Sequence, residues 1–227
     1  MNGQERFRDC LQAMPIVAIL RGITPAEVVA VCDQLYAAGI TGMEIPLNSP
    51  DALQSIGLAV KHGGGRQLIG AGTVITPAEV DAVAAVGGQF IVSPNTDPEV
   101  IWETIANGMV SIPGFLTPSE AFAALKAGAH YLKLFPAGPF GCPYVRDLQA
   151  VVKAPILAVG GVGADNMADF LSLCAGVGVG SALYKPGCTP AEVGARALEL
   201  TARCRQLGGG GGQGAGKGQN PARPAGT

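Results

Sequence analysis

Short apolar runs recur along the chain, and each is followed by a longer stretch in which apolar positions repeat with a helical period. The runs hold four or five residues and are rich in Val, Ile and Leu, which is typical of strands buried on both faces of a sheet. Their alternation with helices, at a period of roughly 20–27 residues, predicts parallel strand pairing. The eight predicted strands are 16–20, 43–47, 68–72, 90–93, 110–113, 131–135, 156–159 and 177–180.

Helix starts are marked by a repeated phrase, Thr-Pro-x-Glu, and helix ends by glycine. In this phrase the Thr hydroxyl accepts from the amide of the Glu, Pro occupies the first helical position, and the Glu side chain reaches back to the cap. The phrase begins at Thr24, Thr76, Thr117 and Thr189, with looser versions at Ser49 and Asp97. Glycines that are suited to end the helices are Gly39, Gly63, Gly87, Gly108, Gly128 and Gly176.

Eight strand–helix units predict an α/β fold of the (β/α)8 TIM-barrel class, with residues 1–207 as one domain. A doubly wound open sheet is the alternative, but no GxGxxG follows the first predicted strand. Phe7, Cys10, Leu11 and Met14 share one helical face and predict an extra N-terminal helix that covers one end of the barrel. Residues 208–227 hold nine glycines and no large aliphatic or aromatic residue, which predicts a disordered tail.

Composition narrows the classes of function. The net charge is −2 and no basic stretch carries interleaved aromatics, so we expect no nucleic-acid partner. No run approaches 18 apolar residues and the N-terminus lacks a signal-peptide pattern, which predicts a cytoplasmic protein without a membrane span. The six cysteines lack metal-ligand spacing and are interpreted as free thiols, so no metal site is expected. His62 and His130 lie away from the predicted strand ends and are interpreted as structural.

Lys133 lies in the middle of a predicted buried strand. Burial disfavours the ammonium form and lowers the lysine pKa, and a neutral amine forms Schiff bases with ketones. At the ordinary pKa of about 10.4 only about 0.04% of a lysine is neutral at pH 7, whereas at about 7.5 roughly a quarter is. Lys133 is therefore a candidate nucleophile. The alternatives are a structural ion pair or an anchor for a substrate anion.

Further polar residues follow other predicted strands, at the end where TIM-barrel enzymes hold their active sites. Glu44 is flanked by apolar residues as Lys133 is, and it is interpreted as a proton-transfer group rather than a structural ion-pair partner. Arg21 and Thr73 end the first and third strands. After the last two strands come glycines and a hydroxyl that favour a phosphate site, namely Gly160, Gly161, Gly180 and Ser181.

Five phrases of the sequence carry a resemblance to a known family: LRG at 20–22, EIPLNSP at 44–50, IGAGTV at 69–74, KLFP at 133–136 and AVGGV at 158–162. Together these segments resemble the class I aldolases that split 2-keto-3-deoxy-6-phospho sugar acids. The resemblance covers about residues 14–206 and implies a trimer that needs no metal or other cofactor. It implies Lys133 as the Schiff-base lysine, Glu44 as proton acceptor and donor, Arg21 with Thr73 around the pyruvate half of the substrate, and phosphate at Gly161 and Ser181.

Within that family the chain is most similar to the branch that acts on the galactonate epimer. The gluconate branch has Arg where this chain has Asn48, and Thr where it has Val159. The resemblance thus implies cleavage of a phosphorylated keto-deoxy galactonate into pyruvate and D-glyceraldehyde 3-phosphate. The alternatives are the gluconate epimer as substrate, a barrel isomerase or decarboxylase in which Lys133 anchors an anion, and a phosphosugar-binding module without catalysis.

Overall fold

The computed structural model describes residues 2–209 as alternating strands and helices behind one leading helix. The strands are β1 Ile16–Ile19, β2 Gly42–Pro46, β3 Leu68–Gly72, β4 Phe90–Val92, β5 Val110–Ile112, β6 Gly114–Phe115, β7 Leu132–Leu134, β8 Ile156–Val159 and β9 Gly176–Val179. The helices are α1 Gly3–Ala13, α2 Val28–Ala38, α3 Ala52–Gly63, α4 Pro77–Ala85, α5 Pro98–Ala106, α6 Pro118–Lys126, α7 Gly141–Val151, α8 Met167–Leu171 and α9 Pro190–Gly209.

The strands form one parallel sheet in the order β5-β4-β3-β2-β1-β9-β8-β7-β6. The fifth predicted strand, 110–113, is observed as β5, and a further short strand, β6, begins after Pro113, which has no backbone N–H with which to continue a ladder. β5 pairs with β4, β6 pairs with β7, and the amide of Lys133 donates to the carbonyl of Pro113 at 2.8 Å. Together β5 and β6 therefore close the sheet into the predicted (β/α)8 barrel, and the open sheet is excluded.

Side chains that alternate along the strands separate two apolar cores. Met43 and Ile45 on β2 point outward, into the large core between the sheet and the surrounding helices. Val17 and Ile19 on β1, with Val159 on β8, point into the barrel, where a second core lies. A residue at the inward position of a strand therefore lies inside the barrel, and this alternation decides which polar side chains share a site.

Helix α1 covers one end of the barrel as predicted. Phe7, Cys10 and Leu11 belong to the core inside the barrel, and the Phe7 ring packs edge-on against Phe90 and Tyr131 at 5.1 and 5.0 Å. Met14, predicted to share this face, instead packs in the outer core, because it lies beyond the end of the helix in extended backbone.

Three of the four Thr-Pro-x-Glu phrases begin helices as predicted, at α4, α6 and α9. The fourth does not begin α2 directly. The Thr24 hydroxyl donates to the Glu27 carboxylate at 2.6 Å, but the Glu27 amide donates to the Thr24 backbone carbonyl at 3.1 Å rather than to the hydroxyl. A turn follows, and the helix starts at Val28.

Helix α9 ends at Gly209, two residues past the predicted domain boundary at 207. The remainder of the predicted tail, 210–227, lies outside the described residues. Within residues 2–209 no helix combines the length and the apolar character that crossing a membrane requires.

Candidate active site

Lys133 and Glu44 both point into the barrel, toward the end at which the strands terminate. Their neighbours on either side along the strand, among them Leu132 and Leu134, face the outer core, so strand alternation turns the charged residues inward. Lys133 is 5% exposed and Glu44 is 2% exposed. They line one pocket, as the strand-end pattern predicted.

Burial shifts the pKa values of both groups toward neutral forms. For Glu44, burial outweighs the opposing attraction of Lys133 and Arg21 and raises the carboxyl pKa to about 7. For Lys133, burial lowers the pKa, the Arg21 charge lowers it further, and Glu44 opposes the change. A lysine of lowered pKa beside a carboxyl group of raised pKa is suited to nucleophilic attack and to proton transfer.

The two residues do not form a direct ion pair. Among residues 2–209 the ion pairs within 4.0 Å are Arg8–Asp9, His62–Asp33 and Arg203–Glu199. One Glu44 carboxylate oxygen, Oε2, is buried and has no hydrogen-bond partner in the part of the chain that the structure describes. A buried acceptor left unpaired costs free energy, so it indicates a place for a substrate hydroxyl or a water.

Gly72 makes room for the Glu44 carboxylate. It ends β3, directly beside β2, and a Cβ atom added there would overlap the Glu44 side chain. The next residue, Thr73, has φ +59°, a left-handed conformation that is rare for a β-branched residue. Backbone strain of this kind is concentrated at functional sites, and here it follows the strand that borders Glu44.

Arg21 joins the loops that follow the first three strands. Its Nη1 donates to Asn48 Oδ1 at 2.7 Å, and its Nη2 lies 3.5 Å from Thr73 Oγ1. Arg21 also lines the pocket that contains Glu44 and Lys133. The predicted pair Arg21 and Thr73 is therefore brought together, and Asn48 belongs to the same cluster.

The predicted phosphate residues line the same pocket. Gly160 and Gly161 follow β8 with φ +89° and +72°, conformations that favour glycine, and Ser181 follows β9. Val159 also lines the pocket, and it is nearly buried because its side chain belongs to the core inside the barrel. All of these positions share one cavity with Lys133.

Phe135 also lines the pocket, although the sequence pattern did not single it out. Its ring lies against Lys133, with Nζ 4.9 Å from the ring centroid, and an added Cβ at Gly160 would approach the ring to 3.0 Å. Strand alternation could have identified it, because Phe135 lies two residues after Lys133 and so on the same face. The contact of Asn48 with Arg21 depends on loop geometry, which carries no comparable signal.

The two histidines, interpreted from the sequence as structural, lie outside this pocket. His62, in the last turn of α3, contacts Asp33 at 2.6 Å, and His130 Nδ1 accepts from the Ser111 amide at 3.0 Å near the start of β7. Burial lowers the pKa of His130, so the ring is neutral in that role. The six cysteines are free thiols, and residues 2–209 contain no group of three or more His, Cys, Asp or Glu that could hold a metal ion.

A closed parallel barrel with a polar pocket at the carboxyl ends of its strands is the arrangement of TIM-barrel enzymes. The family model for KDPG and KHG aldolase matches residues 7–199. The chain belongs to this family of carbon–carbon lyases, the aldolases.

Individual relatives agree with the family match. The 2-dehydro-3-deoxy-6-phosphogalactonate aldolase of Escherichia coli K12 is 49% identical over 177 residues, which is 77% of this chain and 86% of that protein. A solved native KDPGal structure has a TM-score of 0.84 at 44% identity, covering 86% of this chain and 97% of its own. The KDPG aldolase of Legionella pneumophila, solved with pyruvate captured as a covalent carbinolamine, has a TM-score of 0.75 at 27% identity, covering 88% and 97%.

Proposed function

We propose that this aldolase cleaves 2-dehydro-3-deoxy-6-phosphogalactonate to pyruvate and D-glyceraldehyde 3-phosphate, using Lys133 as the Schiff-base nucleophile. The observation that carries this proposal is the buried Lys133 beside the buried Glu44 in one pocket, in a chain 49% identical to a phosphogalactonate aldolase. The lower identity, 27%, to the KDPG aldolase of Legionella pneumophila favours the galactonate epimer over the gluconate epimer.

The reaction begins at the ketone. Lys133 Nζ attacks C2 of the substrate, and loss of water leaves a protonated imine. This cation accepts electrons as the C3–C4 bond breaks, so the enzyme needs no separate electron sink. Because burial and Arg21 both lower the Lys133 pKa, a larger share of the amine is neutral and ready to attack.

Glu44 carries out the proton transfers. Acting through a water molecule, it removes the proton from the C4 hydroxyl as the C3–C4 bond breaks, and D-glyceraldehyde 3-phosphate leaves. The remaining enamine takes a proton at C3, and hydrolysis of the imine frees pyruvate and the amine. A carboxyl pKa of about 7 suits a group that must accept and donate a proton near neutral pH.

Substrate groups at the two ends have separate partners. Arg21 and Thr73 are assigned to the pyruvate half, and the phosphate to Gly160, Gly161 and Ser181. The two glycines have positive φ and no Cβ atom, so an anion can approach their backbone closely. The assignment is supported by the presence of Arg21, both glycines and Ser181 in the pocket of Lys133.

Borohydride reduction in the presence of pyruvate tests the proposal directly. We expect the wild-type protein to gain a permanent pyruvate-derived mass, located on Lys133 by peptide mass spectrometry. Lys133→Met should gain none and should lose retro-aldol activity, while circular dichroism shows an intact fold because Met has a similar volume. Lys153→Met, at an exposed lysine two residues after α7, is the control and should still be trapped.

The same test separates the alternatives. An isomerase or decarboxylase that uses Lys133 as an anion anchor, or a binding module without catalysis, forms no imine and gains no mass. Appreciable retro-aldol activity in Lys133→Met would remove the central assignment.

We also propose that the enzyme is a cytoplasmic homotrimer, as the family resemblance implies. Light scattering of the purified full-length chain tests whether three protomers of 22.9 kDa assemble. Cell fractionation tests the location.

A further inference from the structure

Asn48 makes one contact that the reaction as described does not use. It follows β2, is exposed, and its Oδ1 accepts from Arg21 Nη1 at 2.7 Å. Arginine can only donate hydrogen bonds, so the amide oxygen must be the atom that faces it. A contact of 2.7 Å to a cation is a charge-assisted hydrogen bond, which is roughly twice as strong as a neutral one.

Arg21 also has no acidic partner. In residues 2–209 no carboxylate lies within 4.0 Å of its guanidinium, and the side chains that it contacts are the neutral Asn48 and Thr73. An arginine held by neutral acceptors keeps its full charge for a ligand, whereas an aspartate at position 48 would neutralise that charge. The pocket wall beside Lys133 and Glu44 is therefore both fixed in place and cationic.

Loop geometry explains why a holding residue is needed. Arg21, Asn48 and Thr73 lie on three successive loops, and Arg21 is itself exposed. An exposed arginine side chain samples many rotamers, and fixing it costs conformational entropy that binding would otherwise have to supply. The hydrogen bond to Asn48 restricts the Arg21 side chain before substrate binds, so less entropy is lost on binding. The longer contact of Arg21 Nη2 with Thr73 Oγ1 orients the second nitrogen.

We propose that Asn48 is a positioning residue of this enzyme, one that holds the Arg21 guanidinium in place and, by being neutral, leaves its charge free for the keto-acid end of the substrate. The inference rests on the proposed function, because it assigns Arg21 to the anionic pyruvate half. It predicts that changes at Asn48 act on binding through Arg21 and leave the chemistry at Lys133 in place.

The test compares two substitutions that separate position from charge. Asn48→Ala removes the bond and keeps the charge of Arg21, so KM for pyruvate in the methyl-proton exchange reaction should rise about tenfold, the effect of losing one charge-assisted hydrogen bond. Asn48→Asp keeps the bond but neutralises the charge, and KM should rise at least as much. In both variants kcat for this exchange should change less than about threefold, because imine formation and proton transfer use Lys133 and Glu44 and not Asn48.

A double-mutant cycle shows whether Asn48 acts through Arg21. In an Arg21→Ala background, adding Asn48→Ala should raise KM no further. Gln54→Glu serves as the control, because it adds the same charge on the exposed surface of α3 without contacting Arg21, and its KM should stay at the wild-type value.

Borohydride trapping at saturating pyruvate separates failure of this inference from failure of the proposed function. If the wild type and the Asn48 variants are trapped on Lys133 but KM is unchanged by Asn48→Ala, or the two substitutions are additive, the positioning role is wrong. If the wild type itself is not trapped, the proposed function fails and takes the inference with it.

Discussion

At the residue scale, Glu44 and Lys133 each carry a charge that burial disfavours. Burial raises the pKa of Glu44 to about 7 and lowers the pKa of Lys133, so the neutral form of each group gains population and the Glu44 carboxyl group can accept or donate a proton near neutral pH. A direct ion pair would oppose this by favouring both charged forms. The separation of the two groups within one pocket is therefore part of what keeps them reactive.

Glu44→Gln should keep trapping pyruvate on Lys133 but lose proton exchange at the pyruvate methyl group by at least about a hundredfold, the usual share of general base catalysis.

Because burial raises the Glu44 pKa to about 7, the carboxylate form is lost as the pH falls below that value. Wild-type exchange at saturating pyruvate should therefore decline below about pH 7. Proton exchange followed by NMR across this range measures both effects. Unchanged exchange in the variant would return Glu44 to a structural role.

Val159 is the residue to test for selectivity between the C4 epimers. It is a nearly buried apolar wall of the pocket, and such a wall discriminates by only about 1–3 kcal/mol. We expect the wild type to prefer the galactonate substrate with measurable activity on the gluconate epimer. Val159→Thr adds a hydroxyl and should shift the ratio of kcat/KM values toward the gluconate epimer. Assaying both epimers on both proteins decides the matter: an unchanged ratio clears Val159, and a wild type that prefers gluconate reverses the substrate assignment.

At the scale of elements, strands and most helix starts could be predicted because their signals are local. Apolar runs locate the strands, and the caps at Thr76 and Thr117 form as the phrase predicts. The separate strand β6 after Pro113 was not predicted, because it depends on which neighbour each segment pairs with. The positions of Lys133 and Glu44 on strands of a predicted barrel indicated that they share a site, but the contact of Arg21 with Asn48 depends on loops whose conformation is set by tertiary packing.

Helix α1 offers a test of an element that lies away from the chemistry. Phe7 fills the end of the barrel opposite Lys133, and Phe7→Ala leaves a cavity beside Phe90 and Tyr131. We expect the free energy of unfolding to fall by about 3–5 kcal/mol. Urea denaturation measures this loss, with kcat for the retro-aldol reaction nearly unchanged at low temperature. Gln4→Ala on the exposed face of the helix is the control, and an equal loss there would contradict the role of Phe7.

At the scale of the whole molecule, stability and chemistry occupy opposite ends of one barrel. The end covered by α1 is packed with aromatic rings, whereas the other end holds the buried charges, a carboxylate oxygen without a partner among residues 2–209, and a strained Thr73. Unfavourable features of this kind persist only where surrounding structure holds them. The packed end therefore compensates for the free energy that the reactive end costs.

The boundary of the folded domain gives a prediction at the same scale. Residues 210–227 supply little apolar surface, since they include no large aliphatic or aromatic side chain. A chain that stops at Gly209 should match the full-length protein in kcat/KM and in Tm. Differential scanning calorimetry and the retro-aldol assay measure both. A fall of several degrees would show that the segment packs against the domain.

Gly72 has a practical consequence for anyone who engineers this enzyme for heat tolerance. Replacing glycine with alanine inside a strand is a common way to stabilise a protein, because it restricts the unfolded chain. Here an added methyl group would displace the Glu44 carboxylate from its place. Gly72 is therefore a position to leave out of such a design, because the added methyl group either clashes with the buried carboxylate or moves it out of the pocket.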